Sequence, residues 1–144
     1  MSLSIKVKKQ YSDAKLPTRA TEYAAGWDLY AYIPNQKIHL APGCNVLVST
    51  GICLEIPDDH EGQIRPRSGL AKSGLMCAFG TIDSDYRGLI GVNLFNHSFQ
   101  SATIEDGQRI AQLAIAPVLK VSFEEALELS ETTRGANGFG SSGK

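Results

Sequence analysis

The chain predicts an all-β protein, a sandwich or closed barrel. Three observations carry this: apolar and polar residues alternate in many short runs, turn-forming residues recur every 8 to 12 positions or so, and almost no stretch has helical spacing. With 144 residues, 42% of them hydrophobic and 20% charged, it fits one soluble domain with its own core. No internal repeat or composition shift divides it.

Leu3, Ile5 and Val7 alternate with Ser4, Lys6 and Lys8 and make a first strand, its lysines facing water. The segment 11–22 breaks the pattern around Leu-Pro-Thr. Trp27, Leu29 and Ala31 then form one buried face of a second strand, with Asp28 on the other side and solvated in the simplest reading. Two turns follow, Pro-Asn-Gln at 34–36 and Leu-Ala-Pro-Gly-Cys at 40–44. Val46 and Val48 lead into Ile52, Leu54 and Ile56, and an acidic turn at 57–62 precedes a strand that stops at Pro66. At 67–72 a loop opens into a short helix with Ser68 placed as its N-cap, and the amides there, beside Arg65 and Arg67, favour an anion.

The stretch 80–96 organises the rest. Its second half alternates, with Ile90, Val92 and Leu94 on one side. Together with the apolar run 75–79 it makes a hairpin. Asp83, Ser84, Asp85, Tyr86 and Arg87 stand at the closed end between Gly80 and Gly88. Asp-Ser-Asp alone is a common turn. A tyrosine and an arginine beside two carboxylates also suit a pocket for a polar aromatic ligand. Further on, Arg109 and Gln112 interrupt the buried side of the last clear strand. An apolar run spans 118–123, and 124–129 is a helical turn or an extended segment. The final eleven residues are rich in glycine and serine but hold Arg134 and Phe139, which a plain linker does not need.

The formal net charge of -1 excludes bulk attraction to nucleic acid or an anionic membrane, while a small anion can be held by a few local arginines. The N-terminal residues lack a run long enough for a signal peptide or membrane span, so a cytoplasmic protein is expected. Cys44, Cys53 and Cys77 read as reduced, mostly buried thiols, and the scattered His39, His60 and His97 suggest no zinc site.

Five ordered stretches then carry a family likeness: Ala-Gly-Trp-Asp-Leu-Tyr (25–30), Pro-Arg-Ser-Gly-Leu-Ala (66–71), Gly-Thr-Ile-Asp-Ser-Asp-Tyr-Arg-Gly (80–88), Gly-Gln-Arg-Ile-Ala-Gln-Leu (107–113) and Arg-Gly-Ala-Asn-Gly-Phe-Gly-Ser-Ser-Gly (134–143). With these the chain resembles the trimeric dUTP pyrophosphatases (dUTPases) nearly end to end. The resemblance implies a β jelly roll, here residues 1–133, that forms a homotrimer. Residues 134–144 would be a flexible arm closing over a neighbouring site. It implies hydrolysis of dUTP to dUMP and pyrophosphate with Mg²⁺ held mainly by the phosphates and water, which keeps uracil out of DNA and supplies dUMP for thymidylate synthesis.

The same resemblance implies the roles. Asp83 would orient and deprotonate the attacking water. Tyr86 would lie under the deoxyribose, and the hairpin, with Ile82 and Cys77, would meet uracil. Arg67, Ser68 and Gly69 would hold the α and β phosphates, with Gln112 on phosphate or its water. From the arm, Arg134 would reach the γ-phosphate and Phe139 would stack on uracil, while Gly140, Ser141 and Ser142 border the phosphate end. Asp28 would act one layer back, placing Arg134 or the waters of the metal. Departures from the family pattern are Leu89 and Gly91 in place of charged residues, Cys77 in place of an asparagine, and Asn137 in place of a glycine. Two other readings are a relative that deaminates dCTP on the same fold and a binding module that senses dUTP without turning it over.

Overall fold

The computed structural model describes residues 3–138. It is all-β, with strands β1 (Lys6–Lys9), β2 (Trp27–Tyr30), β3 (Lys37–Leu40), β4 (Asn45–Ser49), β5 (Ile52–Glu55), β6 (His60–Arg65), β7 (Leu75–Cys77), β8 (Gly80–Ile82), β9 (Gly91–Asn96), β10 (Ala102–Glu105) and β11 (Arg109–Pro117). One short helix, α1 (Ser68–Lys72), lies between β6 and β7. Every pairing is antiparallel. A four-stranded sheet runs β2-β11-β6-β8, a three-stranded sheet runs β4-β9-β7, and β1-β5 and β3-β10 form two ribbons.

One core joins these sheets. Leu29, Ile64, Ile82 and Leu113 enter it from the four-stranded sheet, and Val48, Leu75, Val92 and Leu94 from the three-stranded one. Ile52 and Leu54 of β5, with Leu40 of β3 and Ile104 of β10, complete it. Alternation decides which residues these are, because successive side chains of a strand point to opposite faces. The expected alternation in 90–94 therefore holds, and so does the Pro-Gly turn before β4, where the Gly43 amide donates to the Asn96 carbonyl at 2.8 Å.

Several expectations need correction. The first strand pairs only from Lys6, with Val7 opposite Leu54, and Leu3 stays exposed. Trp27 is not core: β2 is the outer strand of its sheet, so the indole remains partly exposed, with the Arg19 guanidinium 4.9 Å from its ring centre. Cys53 and Cys77 are buried, but Cys44, in a turn, is exposed. Among the described residues the last strand ends at Pro117. The run 118–123 forms no strand, and Leu119 and Phe123 are 84% and 99% exposed. Among the described residues no helix is long and apolar enough to cross a membrane.

Candidate active site

The central hairpin forms only at its base. β7 pairs with β9, Cys77 opposite Leu94, and the last bond between the arms runs from the Ala78 amide to the Asn93 carbonyl at 2.8 Å. Beyond it the arms find different partners. β8 joins β6, with Gly80 opposite Ile64 and Ile82 opposite Gly62. Ile90 instead bonds the β4–β5 turn, donating to the Ile52 carbonyl at 2.9 Å and accepting from the Thr50 amide at 3.0 Å. The gap between the parted arms is a cleft of about 240 Å³ lined by Ile64, Gly80, Thr81, Ile82, Asp83, Tyr86, Leu89, Ile90 and Gly91.

β8 is the outer strand of its sheet, so its cleft-side backbone groups have no strand partner among the described residues. An unpaired strand edge is a row of donors and acceptors. The Ile82 side chain is buried in the core, so at the cleft Ile82 offers its backbone. Cys77 is likewise a core residue, and burial raises its thiol pKa. Of the two aspartates at the tip, Asp83 lines the cleft and Asp85 does not, although both are exposed. The turn between them is braced: the Tyr86 amide donates to the Asp83 carbonyl at 3.1 Å, and Arg87 Nη1 donates to the carbonyls of Ser84 and Tyr86 at 2.5 and 3.0 Å. Leu89 and Gly91, the departures from the family pattern, also line the cleft.

A second cluster forms where β6 ends. Asp28, on β2, is not solvated: its side chain is 13% exposed, Oδ1 accepts from Arg67 Nε at 2.8 Å, and Oδ2 meets Arg109 Nη1 at 3.3 Å. Arg67 Nη1 also donates to the Arg109 carbonyl at 3.2 Å. One half-buried carboxylate with two guanidiniums leaves a net positive charge beside α1, a setting for an anion. Ser68 is not the N-cap. Arg67 takes that position with extended dihedrals (φ -92°, ψ 132°) and no side-chain cap, which leaves Ser68 as an exposed first helical residue beside exposed Gly69.

Sequence reasoning missed two supports here. Arg109 shares the Asp28 carboxylate, and the only hint was its break in the apolar face of β11. Gln112 Nε2 donates to the Pro66 carbonyl at 2.8 Å and so fixes the turn that presents Arg67 and Ser68. Its Oε1 lies where a side chain on Gly26 would be, so the Ala-Gly-Trp sequence makes room for it. In the tail, Arg134 is exposed and its Nε donates to the Asn137 carbonyl at 2.9 Å. Phe139, Gly140, Ser141 and Ser142 lie outside the described residues.

The two clusters stand apart in one chain. Ile82 is opposite Gly62, which is three residues, or roughly 10 Å of strand, from Arg65. Ser68 comes three residues later still.

A sequence model described as dUTPase matches residues 12–143, nearly the whole chain. The chain belongs to the dUTPase family. Among relatives of this dUTPase-family chain, a deoxyuridine 5'-triphosphate nucleotidohydrolase from Syntrophotalea carbinolica is 47% identical over 145 residues, covering 99% of this chain and 98% of its own. Another, from a Hydrogenobaculum species, is 51% identical over 144 residues, covering 98% and 99%. The dUTPase of Staphylococcus bacteriophage 80alpha, solved with dUPNHPP, superposes with a TM-score of 0.89 at 28% identity, covering 98% of this chain and 99% of that one.

Proposed function

We propose that this dUTPase-family chain hydrolyses dUTP to dUMP and pyrophosphate, as a homotrimer, at sites built around the parted hairpin. The observation that carries the reading is the unpaired edge of β8 facing a narrow cleft with Asp83 at its end. Uracil presents alternating carbonyl and N–H groups along one side, which a strand edge can pair, while the close walls formed by Ile64, Ile82 and Ile90 leave little room for a methyl group. Tyr86 packs under the deoxyribose. Asp83 takes the proton of a water aligned with the α-phosphorus, and pyrophosphate leaves in line, so positioning supplies much of the rate.

The one cation of the hairpin, Arg87, braces its own turn, so the phosphates need others. Arg67, Ser68 and Gly69 of a second chain supply them, in keeping with the separate places of the two clusters within one chain. Gln112 sets the turn that carries Arg67 and reaches the phosphates or their water. A third chain lends Arg134 to the γ-phosphate and Phe139 to the uracil ring, with Gly140, Ser141 and Ser142 closing the phosphate end. The donor set suits a magnesium ion held by phosphates and water: both oxygens of Asp28 are engaged by arginines, so this carboxylate acts through Arg67 and the solvent shell. When bound, Mg²⁺ offsets the charge of the phosphates.

The test is a comparison of kcat/KM for dUTP, UTP, dTTP and dCTP with Mg²⁺ present. We expect a strong preference for dUTP and no ammonia from dCTP. Ammonia release would make the protein a deaminase on this fold, and tight dUTP binding without pyrophosphate would make it a sensor.

A further inference from the structure

We propose that Gly88 is a specificity-determining residue: its missing side chain is the seat of the Tyr86 ring, and the Leu89 carbonyl is the pin that holds the ring there. The inference rests on the reading that Tyr86 faces the sugar of a deoxyribonucleotide, and it explains what keeps that ring from yielding.

The Tyr86 hydroxyl donates to the Leu89 carbonyl at 3.0 Å, which folds the side chain back over Gly88. A Cβ built on Gly88 would lie 2.9 Å from Tyr86 Cε2 and closer still to the phenol oxygen. The ring therefore occupies the space that any other residue at 88 would fill. The backbone itself does not demand glycine, since Gly88 is not among the residues with positive φ. Alanine at this position would leave the main chain where it is and displace the ring. The turn cannot follow, because the Tyr86 amide is held by the Asp83 carbonyl and the Arg87 guanidinium braces the carbonyls of Ser84 and Tyr86. Only the side-chain torsions of Tyr86 are soft.

A ring that discriminates a hydrogen from a hydroxyl at the sugar must hold its place against a push of about one oxygen atom. Pinned at its far end and backed by the main chain at Gly88, Tyr86 has no second position to retreat into. Without the seat, the ring either swings away, which admits a ribonucleotide, or leans into the cleft, which spoils the fit of the deoxyribonucleotide. Both movements lower the ratio of deoxyribonucleotide to ribonucleotide use. Neither touches Asp83.

The experiment measures kcat/KM for dUTP and for UTP, with thermal melting, for the wild-type protein, Gly88→Ala and Tyr86→Phe. The ratio should fall by about tenfold or more in Gly88→Ala, the size of effect that a change of pocket shape by one methyl group produces. Tyr86→Phe keeps the seat and loses the pin, so its ratio should fall by a smaller, still measurable factor. A folded Gly88→Ala protein whose ratio stays within about twofold of wild type would overturn the proposal. If Gly88→Ala does not fold, an unchanged ratio in Tyr86→Phe overturns it instead. Wild-type protein that cleaves no dUTP would overturn the hydrolase reading and this inference with it, a result distinct from normal turnover with an unmoved ratio.

Discussion

Asp28 and Asp83 are both carboxylates of the candidate site, and their surroundings differ. Asp28 has both oxygens held by arginines and little contact with water. Asp83 is exposed at the end of the cleft. We expect Asp83→Asn to lower kcat by about 10²–10⁴-fold, the usual cost of losing a positioned base, with little change in nucleotide affinity measured by titration. If Asp85→Asn abolished the rate while Asp83→Asn kept it, the base would be the neighbouring carboxylate. The sequence made Asp83 legible through its motif. It did not show the partners of Asp28, because an acid between apolar residues looks the same whether it meets solvent or arginines 39 and 81 positions away. The cysteines give a separate check. Burial raises the Cys77 pKa, so at pH 8 it holds less thiolate than a free thiol would, while Cys44 is exposed. Mass spectrometry of briefly alkylated native protein should therefore find Cys44 labelled, with Cys53 and Cys77 labelled only after denaturation.

The hairpin shows how far alternation can be read. A period of two identifies β9 and its buried face whichever strand lies beside it, so the apolar pattern was visible from the residues. The parting of the arms was not, because β8 keeps the same extended backbone when it changes partner from β9's sheet to β6. Likewise, Ser-Gly before a helix reads as a cap, and only the extended dihedrals of Arg67 show that the helix starts one residue earlier, at Ser68 itself, and leaves that residue exposed. At the base of the hairpin, Asn96 is buried and spends its amide fully: Nδ2 donates to the carbonyls of Leu40 and Gln100, both at 2.8 Å, and Oδ1 accepts from the Ser98 amide and hydroxyl. It fastens the end of β9 to β3 and to the turn before β10. Asn96→Ala strands buried groups on both sides, so urea denaturation should show a loss of about 2–4 kcal/mol. A loss near zero would mean that water replaces the amide.

In the molecule as a whole, one chain keeps its two candidate clusters apart and leaves much apolar surface uncovered. The cleft and the Arg67–Ser68 cluster lie at different places along β6, and past Pro117 the side chains of Leu119, Val121, Phe123, Leu127 and Leu129 are exposed. Exposed apolar surface of this extent marks an interaction site, and neighbouring copies can cover it. The apolar run at 118–123 was visible in the sequence, but composition cannot say whether such a run pairs as a strand or stays exposed on its own chain. We expect light scattering to give a trimer at micromolar concentration, and removal of 118–144 to weaken it. Mixing Asp83→Asn subunits with subunits truncated before Arg134 should restore part of the activity that each lacks alone, since some mixed sites then draw an intact hairpin and an intact arm from different chains. A fully active monomer would contradict this arrangement.

The central claim is that water, placed by Asp83, attacks the α-phosphorus of dUTP bound in the parted hairpin. Hydrolysis in ¹⁸O-water, with mass analysis of both products, tests it most directly. The account predicts equal amounts of dUMP and pyrophosphate, with the label in dUMP and none in pyrophosphate. Label in pyrophosphate would place the attack on the β-phosphorus, and release of orthophosphate would place it on the γ-phosphorus; either result would contradict the position assigned to Asp83.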